Sequence, residues 1–301
     1  MTEKLQSSQI FIMYKSLNEY LRERFHTKVY KIALSSGCTC PNRDGTIGVG
    51  GCIFCGETGS GDFAQEASLS VSEQIKRAKQ KIAAKNPGGK YIAYFQSFTN
   101  TYGKAEDLEP KFLEAMADEE VVALSVATRP DCLPPEIIAM LERLNGIKPV
   151  WVELGLQTIH ENTARYIRRG YSLEVYDCAV EKLHNIGVEV IVHVIIGLPG
   201  ETVEDMKQTV QYVVDSGAEG IKLQLLHVLK DTDLAADYQK GMFQTLTMEE
   251  YVSAIRSCVE LIPKRVVVHR LTGDGNKNTL VAPLWSADKK RVLNALNKAL
   301  R

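Results

Sequence analysis

The 301 residues are enough for two domains of about 150 residues or one α/β barrel of about 200–250, and either can bury a full core. Apolar residues at 45%, charged residues at 24%, and 36 Lys plus Arg against 37 Asp plus Glu for a net charge of −1 together exclude intrinsic disorder. The longest apolar runs, such as 188–198 with Glu189 and His193 inside it, fall short of the roughly 20 residues that span a bilayer, and the first residues show no basic stretch followed by an apolar one. A cytoplasmic protein with no membrane partner is expected.

In chain order, apolar runs rich in β-branched residues at 29–34, 91–96, 121–127, 150–154, 188–196 and 220–226 predict six strands. Amphipathic stretches at 71–85, 107–118, 135–144, 173–185 and 202–215 alternate with them and predict helices. Pro135 suits a first helical turn, and Gly187 and Gly217 stand where a helix would end before the next strand. Repeated βα units imply a parallel sheet with both faces covered, either an open doubly wound sheet or a barrel, and in both the ligand gathers at the C-terminal strand ends. After His227 the pattern changes to a loop, a helix at 248–261, a strand-like 266–271, a loop at 272–283 and a last helix at 285–300, which predicts an appendage on the main unit.

Four of the seven cysteines lie between Cys38 and Cys55. In a reducing compartment that crowding and the odd total favour a metal site over disulfides. Cys52 and Cys55 have the C-x2-C spacing that lets two thiolates converge on one centre, and Cys40 lies across a return containing Gly45, Gly48, Gly50 and Gly51. With Cys38 as a fourth ligand the thiols would close a structural zinc site, whereas three thiols on an iron–sulfur cluster would leave one iron open. Spacing alone leaves both possibilities standing. Cys132, Cys178 and Cys258 are isolated and are expected to behave as small buried hydrophobes.

Other polar residues stand out against apolar strands. Glu153 lies within a hydrophobic run and must face a polar ligand or a cation, because an unpaired buried carboxylate is expensive. Arg168 and Arg169 offer the guanidinium fork that suits a carboxylate, and Thr202 suits a helix cap. His193 is expected as a satisfied core histidine and Lys222 as a surface lysine. Three basic clusters are available to a polyanion, namely Lys76-Arg77-Lys79-Lys81, Arg165-Arg168-Arg169 and Lys289-Lys290-Arg291. There is no G-x4-G-K-[ST] phosphate loop, and Ala164 breaks any zinc-protease pattern begun by His160-Glu161.

Cys40-Pro41-Asn42-Arg43-Asp44-Gly45-Thr46 followed by Gly50-Gly51-Cys52-Ile53-Phe54-Cys55 resembles the radical S-adenosylmethionine (SAM) enzymes. The branch it resembles is the YhcC/YtqA-like one, related to the catalytic subunit of elongator; the long gap after Cys40 departs from the common C-x3-C-x2-C but matches this branch. The resemblance extends over nearly the whole chain. It implies a partial (β/α)6 TIM-like barrel over 29–230, an N-terminal helical extension at 1–28 and a C-terminal α/β appendage at 231–301. It implies a [4Fe–4S] cluster on Cys40, Cys52 and Cys55, with Cys38 a bystander. SAM would be contacted by Gln96, Ser97 and Asn100 after the second strand, Arg129 after the third, Glu153 and Gln157 on the fourth, Arg168 and Arg169 beyond it, Ile196 and Gly197 at the fifth, and Leu225 and His227 at the sixth. Arg270, Asp274 and Trp285 of the appendage would line the substrate opening.

The chemistry implied by the same resemblance is reductive cleavage of SAM to a 5′-deoxyadenosyl radical that abstracts hydrogen, with an electron donor such as flavodoxin or ferredoxin. The elongator relationship implies tRNA as partner and the 5-substituent of its wobble uridine as the target, in a transferase or lyase step. Radical chemistry on a small molecule or protein, or a non-enzymatic zinc-stabilised binding module, are the alternatives. No catalytic residue is singled out.

Overall fold

The computed structural model describes residues 13–57, 59, 64–273 and 275–301. Among them ten strands form: β1 Lys15–Ser16, β2 Val29–Leu34, β3 Lys90–Phe95, β4 Val121–Thr128, β5 Val150–Gln157, β6 Glu189–Ile196, β7 Gly220–Leu225, β8 Val228–Leu229, β9 Val267–Arg270 and β10 Leu280–Ala282. Eight of these make one parallel sheet in the order β1-β9-β7-β6-β5-β4-β3-β2, and β8 pairs antiparallel with β10. The α-helices are α1 Leu17–Phe25, α2 Val71–Ile82, α3 Ala105–Ala117, α4 Pro135–Asn145, α5 Glu161–Tyr166, α6 Leu173–Asn185, α7 Val203–Asp215, α8 Asp233–Gln239, α9 Met248–Val259 and α10 Lys289–Ala299.

The six expected strands are β2 to β7, and the sheet continues past them. β9, from the segment expected as an appendage, pairs with β7, and β1 pairs with β9. An uncovered β7 edge would leave a row of unpaired backbone groups, which these two additions cover. The sheet curls into a half-barrel. In a flat sheet β2 and β5 would lie three strands, or roughly 14 Å, apart, yet Lys31 on β2 reaches Glu153 on β5 at 2.5 Å.

Alternation along each strand sorts the side chains. Val150, Val152, Leu154 and Leu156 of β5, and Val190, Val192, Val194 and Ile196 of β6, join the core under the outer helices. Each fully buried side chain of this kind contributes about 1.5–3 kcal/mol. The opposite faces point into the barrel in tiers. Val29, Ile92, Ala123, Trp151 and Ile191 close the floor against Leu21 of α1. One step up each strand stand Lys31, Tyr94, Ser125, Glu153, His193 and Lys222, a polar tier inside an otherwise apolar shell.

Local signals hold where the chemistry is local. Thr202 accepts from Asp205 N at 3.2 Å while Asp205 accepts from Thr202 N at 2.8 Å, a capping box starting α7. Two expectations change. Lys222 is 5% exposed, because period-two alternation sends it inward with Gln224 while Ile221 and Leu223 pack outward. Cys178 is exposed, since the buried stripe of α6 runs through Tyr176, Ala179, Val180 and Leu183. Among the described residues no helix is long and apolar enough to cross a membrane.

Candidate active site

The cysteine loop follows β2 and folds back on itself through its own backbone. Ile47 N donates to Pro41 O at 2.8 Å, Gly51 N to Asn42 O at 2.8 Å and Cys55 N to Cys52 O at 3.0 Å. Gly51 has φ +85°, and a Cβ there would come within 2.9 Å of Arg43 Nε. Arg43 needs that space because its guanidinium donates to Gly56 O at 2.6 Å and Cys55 O at 3.2 Å, clamping the end of the loop. Asn42 Nδ2 donates to Arg168 O at 2.6 Å and lies 3.5 Å from Cys52 Sγ, which ties the loop to the turn after α5.

Cys40, Cys52 and Cys55 line one cavity of about 120 Å³ at the C-terminal end of the barrel. Cys38 is absent from its wall and packs against the outer core beside Leu108, where burial raises its thiol above the usual range. The thiol–thiol hydrogen bond from Cys55, aided by Arg129, Asn42 and Arg43, lowers Cys52 to about 7, while the same shared proton and burial push Cys55 up. Positive groups beside thiols favour the thiolate, the form that binds metal. Among the described residues no three Cys, His, Asp or Glu side chains are gathered closely enough to clasp one metal ion. Three thiols facing a common space, with the fourth turned away, suit a cluster of several atoms better than a closed four-cysteine zinc site.

A larger cavity of about 500 Å³ adjoins the first and shares Cys55, Gln96, Gln157 and His193 with it. It runs down the barrel to the polar tier, where Glu153 has no exposed side-chain surface. Its carboxylate accepts from Lys31 Nζ at 2.5 Å, Ser125 Oγ at 2.7 Å, His193 Nε2 at 2.6 Å and Lys222 Nζ. Burial alone would raise the Glu153 pKa, but Lys222, Lys31 and His193 hold it well below the usual carboxylate range. Burial and the neighbouring Lys31 and Arg270 bring Lys222 down to about 7 against the pull of Glu153. Burial and Lys222 bring His193 down to about 4, so its imidazole is neutral at pH 7 and hydrogen-bonds Gln224 with its other nitrogen at 3.0 Å.

Of the residues expected to contact SAM, Gln96, Arg129, Glu153, Gln157, Arg169, Leu225 and His227 line the two cavities. Gln157 follows a bulge in β5, has φ +70°, and its buried Oε1 has no hydrogen-bond partner. Such an orphaned acceptor aimed at a cavity is what a ligand donor would satisfy. Arg129 pairs with Asp131 at 2.9 and 2.7 Å and stacks on Tyr171, and Arg169 donates to Thr158 O at 2.6 Å. Glu153 faces its cations, with both carboxylate oxygens engaged by protein.

The other expected residues stand apart. Asn100 accepts from Ser36 Oγ at 2.6 Å and donates to Phe95 O and Ala127 O, an internal brace. Ser97 is buried outside both walls, and Arg168 is exposed and paired with Asp233 at 2.5 Å. Ile196 faces the outer core while Ile195 faces the cavity, and the space a Gly197 Cβ would need is filled by Leu246. Arg270 lines the larger cavity, Trp285 donates to Leu246 O at 3.0 Å, and Asp274 lies outside the described residues. Sequence reasoning missed Lys31 and His269 as cavity walls and misjudged Lys222. The available signal was a polar side chain at the same inward position of each successive strand.

The Radical SAM superfamily profile matches residues 37–213, and the Radical_SAM C-terminal domain profile matches residues 218–301. The chain is similar to the uncharacterised protein YtqA of Bacillus subtilis, at 45% identity over 287 residues, covering 95% of this chain and 89% of that one. It is similar to the tRNA uridine(34) acetyltransferase of Methanocaldococcus infernus at 29% identity over 170 residues, covering 55% of this chain and 31% of that protein. Among solved structures, the archaeal Elp3 of Methanocaldococcus infernus with an N-terminal deletion shares the fold, with a TM-score of 0.66 at 21% identity over 91% of this chain and 64% of that one.

Proposed function

The chain belongs to the radical SAM superfamily, and on that footing we propose that it modifies the 5-substituent of the wobble uridine of tRNA. The family's cofactors, a [4Fe–4S] cluster and SAM, supply when bound a 5′-deoxyadenosyl radical that takes hydrogen from an unactivated carbon. Cys40, Cys52 and Cys55 would hold the cluster, and the observation that carries this assignment is that these three thiols share one cavity while the half-buried Cys38 packs against the outer core instead.

The chain's own residues have separable tasks in that scheme. Arg43 and Arg129 favour thiolates in the loop, and Arg43 also fixes the turn that presents Cys55. Gln157 offers its unpartnered oxygen to a donor on SAM, and Gln96, Arg129, Arg169, Leu225 and His227 complete the walls. The tier around Glu153 keeps the deeper cavity polar and fixed in place, which suits a heteroatom-rich substituent entering from the open side of the half-barrel. Flavodoxin or ferredoxin would deliver the electron, in the cytoplasm.

Support for tRNA comes from the relative named for uridine 34, which matches 55% of this chain and of which this chain covers 31%. Two measurements test the scheme. Anaerobic reconstitution with iron and sulfide should give near four irons per chain and 5′-deoxyadenosine on reduction with SAM. About one zinc and no SAM cleavage would overturn it. Nucleoside digests of tRNA from cells with and without the gene should differ at the wobble uridine, and identical profiles would refute the RNA substrate.

A further inference from the structure

The structure sorts the three basic clusters. Three of the four cations in the first cluster are paired, Lys76 and Arg77 with Glu73 and Lys79 with Asp118 and Glu120, while Lys81 is exposed without an ion pair among the described residues. Arg165 pairs with Glu161, Arg168 with Asp233, and Arg169 is buried. In the third cluster Lys290 and Arg291 are exposed and, among the described residues, make no ion pair; the same holds for Lys277 beside them. With Lys289 they surround a surface groove containing Leu284, which is 70% exposed, and Trp285.

Two further observations set this groove apart from an ordinary solvated face. Lys289, Lys290 and Arg291 form the first turn of α10, which has no acidic residue there. Cations at that position oppose the helix dipole, so local helix energetics disfavour them, and Asp288, the carboxylate in the groove, caps the helix by accepting from Arg291 N at 3.1 Å. The groove and the larger cavity share no wall residue, but they are built from neighbouring stretches of the chain. Leu229 and Gly275 line that cavity; Leu229 pairs with Leu280 of β10, which leads directly to Leu284, and Gly275 is two residues from Lys277.

We infer that the groove formed by Lys277, Leu284, Lys290 and Arg291 is the docking surface for the sugar–phosphate backbone of the RNA substrate, carried on the stretch of chain that also supplies Gly275 to the wall of the larger cavity. This assignment rests on the tRNA reading above. Unpaired cations neutralise phosphates and release counterions, and Leu284 offers an apolar contact between them. An otherwise neutral chain can therefore bind RNA through one local excess of positive charge.

The test is fluorescence-anisotropy titration of the reconstituted full-length protein with tRNA purified from cells lacking the gene, over a range of salt. K290A/R291A should weaken binding about tenfold or more and reduce the salt slope by about 1 for each cation removed. K76A/R77A, which removes cations already paired with Glu73, should bind like the parent. The K290A/R291A variant should melt at or above the parent temperature, which separates lost contacts from lost folding. Parent-like affinity and slope in K290A/R291A would overturn the surface while leaving the RNA reading intact. Absence of tRNA binding by the parent would overturn both.

Discussion

Replacing Glu153 with Gln keeps the shape and removes the one negative charge to which Lys31, Lys222 and His193 are joined. The variant leaves the buried Lys222 and the half-buried Lys31 together without a counter-charge, and breaking a buried ionic group on one side costs about 3–5 kcal/mol. For a chain of this size each kcal/mol moves Tm by about 2 °C, so E153Q should melt roughly 6–10 °C below the parent. The loss should be larger at pH 6 than at pH 8. Lys222 already sits at about 7 with its carboxylate present, and without it the ammonium is held still less firmly, so raising the pH lets the amine go neutral. Adding Lys222→Met should restore much of the loss by removing the orphaned cation. Calorimetry of the parent, both single variants and the double variant gives the coupling directly. A drop in E153Q of less than about 2 °C, or additive effects in the cycle, would refute the account of this tier as a mutually dependent ionic unit.

Cys52→Ala should abolish cluster iron and 5′-deoxyadenosine formation, whereas Cys38→Ala should retain both; equal loss by iron analysis and product assay would show that the ligand assignment is wrong. Gln157→Met removes the unpartnered oxygen, so the SAM-free protein should be as stable as the parent or up to about 1–3 kcal/mol more so, while SAM affinity falls. Calorimetric titration and melting read the two effects, and unchanged affinity would exclude Gln157 from the cofactor site. His193, at about 4 when folded and near 6.5 when unfolded, takes up its proton more readily in the unfolded chain. Its contribution to stability is therefore present above about pH 6.5 and is lost as the pH falls toward 4. His193→Gln should flatten that part of the profile in urea unfolding, and an imidazole signal titrating near 6.5 by NMR would contradict the burial argument.

Alternation of β and α patterns was sufficient for six parallel strands and their covering helices, because hydrophobic period and capping are local properties. Thr202 caps α7 for the same reason. The cysteine loop was legible as a cluster of donors, since C-x2-C spacing and a glycine-rich return act within eighteen residues. Spacing alone could not say which thiols converge, because Cys38 and Cys40 are equally available along the chain, and it is the fold that puts Cys40 on the cavity wall with Cys52 and Cys55 and Cys38 against the outer core. Nor could it show that β1 and β9 extend the sheet, since strand pairing across 250 residues leaves no local mark. Glu153 announced that it needed a cation, but its partners, Lys31 and Lys222, lie 122 and 69 residues away and meet it only because the sheet curls. The pairing of the first basic cluster was partly legible, since Glu73 lies three and four residues before Lys76 and Arg77 on one helix. Lys79 differs, because Asp118 and Glu120 reach it only in the folded chain, whereas Lys290 meets no ion-pair partner among the described residues.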